Sequence, residues 1–97
     1  MPQVRFAPAA LRDLERLRDF LRPKSSDVAT RAAIAIKKAV QALGQHPNIG
    51  RPVETLEAEY RELLIEFGDS GHLALYRYDD GDFPIVLAIQ RQKELGY

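Results

Sequence analysis

The 97-residue chain has no cysteine, no tryptophan, one methionine, two histidines and no net charge. Without cysteine it can form neither disulfides nor thiolate metal sites, and a reducing, cytoplasmic setting is the expected one. His46 and His72 do not have the spacing of a metal-ligand pair, so neither metal nor cofactor is expected. No apolar run approaches the ~20 residues that cross a bilayer. Met1 leads into a strand-like VRF and an amphipathic helix rather than a secretory signal. Glycine-rich phosphate loops and nucleophile elbows are also missing, which removes P-loop nucleotide chemistry and serine-hydrolase chemistry. A balanced charge gives no bulk attraction to a polyanion. The balance is local, however: residues 1–46 hold nine Lys/Arg against four Asp/Glu, and residues 47–97 hold five against ten. A basic patch on the first half is therefore expected.

What is present reads as one domain spanning residues 1–97. The most informative stretch runs from Tyr60 to Arg91, as three strands: YRELLIEF, HLALYRYD and FPIVLAIQR. Gly68-Asp69-Ser70-Gly71 and Asp79-Asp80-Gly81-Asp82 separate them, and such Gly/Asp clusters reverse the chain tightly. In the first strand Leu63, Ile65 and Phe67 alternate with Glu62 and Glu66, the period-two signature of a half-buried strand. The near-continuous run from Ile85 to Ile89 predicts that the third strand is the most buried. Gln3 to Phe6 should add a fourth strand.

Between these lie two helices. Pro8 suits a first helical turn, and Leu11, Leu14, Leu17 and Leu21 recur at helical spacing until Pro23 ends the run. Ser25 or Ser26 can cap a second helix with the stripe Val28, Ala32, Ile36, Ala39, Val40 and Leu43, stopped at Gly44. The pair reads as an antiparallel hairpin whose apolar side lies on the sheet. Residues 45–59, broken by His46-Pro47 and Gly50-Arg51-Pro52, read as a loop. The expected class is α+β, in the order β-α-α-β-β-β, with the helix hairpin packed on a small, mostly antiparallel sheet.

Candidate site residues are Arg51, Arg61, Arg77, Arg91, Lys93 and Tyr97, which come from the loop, the strands and the tail. Arg77 shares its strand face with Leu73 and Leu75, and an arginine on such a face marks an anion site or an ion pair with Glu62, Glu66 or a turn aspartate. His72, beside a turn, is expected at the rim; Tyr76 and Tyr78 are expected as sheet-face aromatics. Asp79 and Asp80 are expected to do turn chemistry.

Three stretches together resemble the ParE/RelE superfamily of type II toxins: VRFAPAALRDLERLRDFL, HPNIGRPV leading into YRELLIEFGDSGHLALYRYD, and VLAIQRQKELGY. The likeness covers nearly the whole chain, and β-α-α-β-β-β is that family's fold. It implies the toxin of a toxin–antitoxin pair, of the sort associated with plasmid stabilisation, neutralised by a small antitoxin of ribbon-helix-helix type. ParE-like members poison DNA gyrase by protein–protein contact. RelE-like members cleave mRNA on the ribosome, and a third outcome is a toxin fold that has lost toxicity. Nuclease action of the RelE kind needs an activated 2′-hydroxyl and a stabilised phosphate, roles that Arg61, Arg77 and Tyr97 could fill by position. The family's tail often reads AIRHQKE, whereas here Gln90 and Arg91 stand where Arg and His are customary. That departure removes a candidate base and favours the ParE-like reading, with Arg51, Arg91 and Lys93 as target contacts. Leu11, Leu14, Leu17 and Phe20, rimmed by Arg12, Arg16, Arg31 and Lys37, are the expected antitoxin surface.

Overall fold

The computed structural model describes residues 3–23, 26–67 and 70–91. Its elements are β1 (Arg5–Phe6), α1 (Pro8–Leu21), α2 (Ser26–Gln45), β2 (Arg51–Pro52), β3 (Tyr60–Phe67), β4 (Ser70–Arg77) and β5 (Ile85–Arg91). They form one five-stranded sheet in the order β1-β5-β4-β3-β2. The α+β class and the helix pair on a mostly antiparallel sheet are as the sequence implies. The exception to antiparallel pairing is β1, which runs parallel to β5 with Arg5 opposite Ile85 and Phe6 opposite Val86.

β2 is a correction to the loop expected over residues 45–59. Arg51 pairs with Glu62 and Pro52 with Arg61 at the outer edge of β3. Proline can occupy this position because an edge strand needs no donor on its outer side. α2 also runs one residue past Gly44, to Gln45. The second turn forms as expected: the Asp82 N–H bonds the Asp79 carbonyl at 3.0 Å, and Gly81 supplies the positive φ of +87°.

Strand burial departs from expectation in an instructive way. β4, not β5, is the most buried, with His72, Leu73, Ala74 and Tyr76 all inside. It lies in the middle of the sheet with full-length partners on both sides. In β5, Val86 and Ile89 are buried although strict alternation would put residues three apart on opposite faces. Leu75 pairs with Ala88 but Tyr76 with Val86, so Leu87 is an extra residue, a bulge that resets the parity. The continuous apolar run is thus the mark of a bulge rather than of a strand buried on both faces.

Leu63, Ile65, Ala74, Tyr76, Val86 and Ile89 form the helix-facing side and pack with Ala10 of α1 and Leu43 of α2. Tyr76, Leu43 and Val86 are fully enclosed. Burial of each of the two aliphatics contributes roughly 1.5–3 kcal/mol. α1 rests on β5 and α2 on β3, and the helices touch each other less than either touches the sheet. The expected hairpin is therefore splayed. A smaller cluster of Leu17, Leu21 and Ala32 joins the helices. No helix among the described residues is long and apolar enough to cross a membrane.

Candidate functional site

The helix-facing side of the sheet ends in two polar regions. At the first, Tyr76 holds the chain that leaves α2. Its hydroxyl donates to the Pro47 carbonyl at 2.7 Å and accepts the Gly50 N–H at 2.9 Å. Burial pushes the Tyr76 pKa up, while the Gly50 N–H and the nearby Arg61 charge pull against it. The phenol is therefore neutral and able to donate at ordinary pH. Arg61, opposite Tyr76 in the register, sends Nη1 to the carbonyls of Gly50 at 2.7 Å and Asn48 at 3.3 Å. Gly50 sits so close that an added Cβ would lie 2.6 Å from the Tyr76 ring and 2.7 Å from the Glu62 carbonyl. This latch fixes where β2 starts and so presents Arg51, which is exposed and bonded through Nε to Glu62 at 2.7 Å.

At the second region α1 crosses the end of β5. Asp13 accepts the Ile89 N–H through Oδ2 at 2.9 Å and the Arg16 guanidinium through Oδ1 at 2.5 Å. Arg91 lies over the Phe20 ring, 5.1 Å from its centroid. His72, opposite Arg91 in the register, is only 3% exposed. The expectation of a rim histidine is thus corrected: His72 sits beneath α1, on the face that alternation shares with Ala74 and Tyr76.

The expected arginines are distributed rather than gathered. Arg61 and Arg77 project from opposite faces, since Arg61 pairs with Tyr76 and Arg77 is the next residue along β4. Arg77 bonds Asp79 at 2.6 Å and lies 3.9 Å from Glu59, the ion pair with a turn aspartate that its sequence position suggested. Arg61 and Arg91 share a face, but their partners Tyr76 and His72 are four positions apart on β4, about 13 Å along the strand. Lys93 and Tyr97 lie outside the described residues.

Between the splayed helices runs an apolar groove of about 300 Å³, lined by Leu14, Leu17, Leu21, Ala29, Ala32, Ala33 and Ile36 with Arg18 and Lys37 at its rim. Leu11 and Phe20 are exposed at 50% and 44%. Arg12 is exposed too, Arg16 is held by Asp13, and Arg31 pairs with Asp27 one turn earlier on α2. Sequence reasoning missed Tyr76, Gly50, Asp13 and Arg18. The Asp13–Arg16 spacing of three was visible on a helix, but the bond to Ile89 depends on a tertiary contact. No group of metal-ligating side chains occurs among the described residues.

Comparison with known proteins agrees with this architecture. Residues 4–96 match the family model described as the ParE toxin of the type II toxin–antitoxin system parDE. Toxin RelE3 of Caulobacter vibrioides is 35% identical over 91 residues, covering 94% of this chain and 91% of that protein. A solved chain from the chromosomal ParDE TA system of P. aeruginosa shares the fold, with a TM-score of 0.69 and 24% identity over 94% of this chain and 96% of that one. With the family model matched along almost its whole length, the chain belongs to the ParE toxin family of type II toxin–antitoxin systems.

Proposed function

We propose that this toxin arrests growth by binding DNA gyrase through protein–protein contact, and that its antitoxin is a ribbon-helix-helix protein. The observation that carries the first half is the placement of Arg61. Its Nη1 is bonded to the Asn48 and Gly50 carbonyls, and Arg77, the other strand-borne candidate, is on the far face and paired with Asp79. Two guanidinium groups on opposite faces of the sheet do not converge on one phosphate. Arg51, Arg91 and Lys93 are the proposed target contacts. Purified toxin at micromolar concentration should inhibit gyrase supercoiling and leave ribosome-bound mRNA uncut by toeprinting. Intact gyrase activity together with mRNA cleavage that Arg61→Ala or Arg77→Ala abolishes would establish the RelE-like ribonuclease instead, the reading that the name of the Caulobacter relative favours. Normal growth on expression without antitoxin would establish a chain that has lost toxicity.

The antitoxin site proposed is the α1–α2 groove. Leu14 and Leu17 line it, Leu11 and Phe20 are exposed on the same helix, and Arg12, Arg16, Arg31 and Lys37 make this half basic. An acidic amphipathic segment that folds as it binds matches both features. Hydrogen exchange with antitoxin present should show protection rising in residues 8–43. Protection confined to residues 45–59 would place the antitoxin elsewhere.

A further inference from the structure

The region where α1 crosses β5 contains a cleft of about 170 Å³, walled by Leu17, Phe20 and Ile89 and carrying Asp13, Arg16, His72 and Arg91. We propose that this cleft binds the side-chain carboxylate of a glutamate in an acidic peptide segment. Among the described residues lining it, two guanidinium groups face one carboxylate, an excess of one positive charge. The Asp13 carboxylate is paired with Arg16 and accepts the Ile89 N–H rather than meeting Arg91. Among the described residues no carboxylate lies within ion-pair distance of Arg91, which lies over the Phe20 ring.

The ring contact matters too. An aromatic ring offers no carboxylate-like acceptor, so the Arg91 guanidinium keeps N–H groups for an anion while resting on Phe20. Its planar fork matches the two oxygens of a carboxylate. The contact restricts Arg91 before a ligand arrives, which reduces the ordering cost of binding. The apolar walls lower the local dielectric and strengthen the attraction. The same walls distinguish between anions. Leu17, Phe20 and Ile89 suit the two methylenes of a glutamate, whereas a free phosphate carries a hydration shell on every side and gains nothing from them. The proposal does not rest on gyrase being the target.

A matched control exists within the molecule. Arg5 lies over Phe83 at 5.2 Å, the same pair with nearly the same spacing, yet neither residue lines the cleft. The experiment is an NMR titration of the ¹⁵N-labelled full chain, at constant ionic strength, with three probes. These are the capped peptide acetyl-Ala-Glu-Glu-Ala-amide, its Gln-Gln counterpart and inorganic phosphate. Saturable shifts at the Ile89 and His72 amides and at Arg91 Nε are expected with the Glu peptide alone. Arg91→Gln and, independently, Arg16→Gln should weaken binding at least fivefold while amide dispersion stays native; Arg5→Gln should leave it unchanged. The proposal is overturned if the Gln peptide gives the same shifts, if phosphate binds as tightly as the Glu peptide, if Arg5→Gln costs as much as Arg91→Gln, or if no residue of the cleft responds.

Discussion

At one end of the helix-facing side of the sheet, Arg61 turns inward and donates to two loop carbonyls beside the fully buried Tyr76. At the other end, Arg91 lies over Phe20 at the mouth of a cleft. Both are arginines on neighbouring strands of β4, projecting to the same side. The difference is what the chain brings opposite them. Residues 46–50 leave α2 with carbonyls pointing at β3, and these need donors. At the other end α1 brings side chains, the Asp13 carboxylate onto the Ile89 N–H and the Phe20 ring against Arg91. Arg61 is tied down by loop carbonyls, whereas Arg91 meets an aromatic ring.

If the latch carries stability and the cleft does not, substitutions at the two ends should separate clearly. Tyr76→Ala should have the largest effect. It empties the largest fully buried side chain and leaves Gly50 and Pro47 without their partner, so a loss of about 3–5 kcal/mol is expected by urea unfolding. A loss under about 1 kcal/mol would mean that the loop docks without it. Gly50→Ala comes next, at about 3 kcal/mol, because the clash includes the Glu62 backbone as well as a ring. At the other end, Asp13→Ala should cost about 1–2 kcal/mol for the half-buried bond to Ile89, and Asp13→Asn should recover most of it by keeping an acceptor. Equal losses for both would show that the charge, not the bond, is what matters there.

The smallest effect expected is one of pH. Tyr76 has its pKa raised above 10.0 by burial, so the folded state holds this proton more tightly than the unfolded chain. Its contribution is complete below that value and is lost as pH rises from about 10 through the folded-state pKa. The stability gap between the parent and Tyr76→Phe should therefore narrow in alkaline thermal melts. A gap that widens above pH 10 would contradict the sign.

The local features of this fold were legible. Period-two alternation over residues 60–67, leucines at helical spacing in α1 and the glycine of the second turn each act through neighbours in sequence, so their patterns survive in the sequence itself. Features set by register were not. Whether His72, Ala74 and Tyr76 or Leu73, Leu75 and Arg77 faced the helices could not be read from residue type, because both sets are largely apolar. The Leu87 bulge hid within an unbroken apolar run, and the parallel pairing of β1 depends on residues some eighty positions away. The same limit applies to the site. Grouping Arg61 with Arg77 by strand position ignored that consecutive positions on paired strands can fall on opposite faces.

The parallel pairing has a consequence for the order in which the protein is made. Among the described residues β1 pairs with β5 alone, and α1 rests chiefly on β5 as well. During synthesis the first quarter of the fold meets α2 early, through Leu17, Leu21 and Ala32, but lacks its main support until residues 85–91 have emerged. Contacts closed across so many residues form late and slowly. A nascent or truncated chain thus lacks both the α1–β5 cleft and a fixed α1 to wall the groove. The latch at the other end, built from β3, β4 and residues 46–50, needs no part of β5, so the two ends of the sheet are completed at different times.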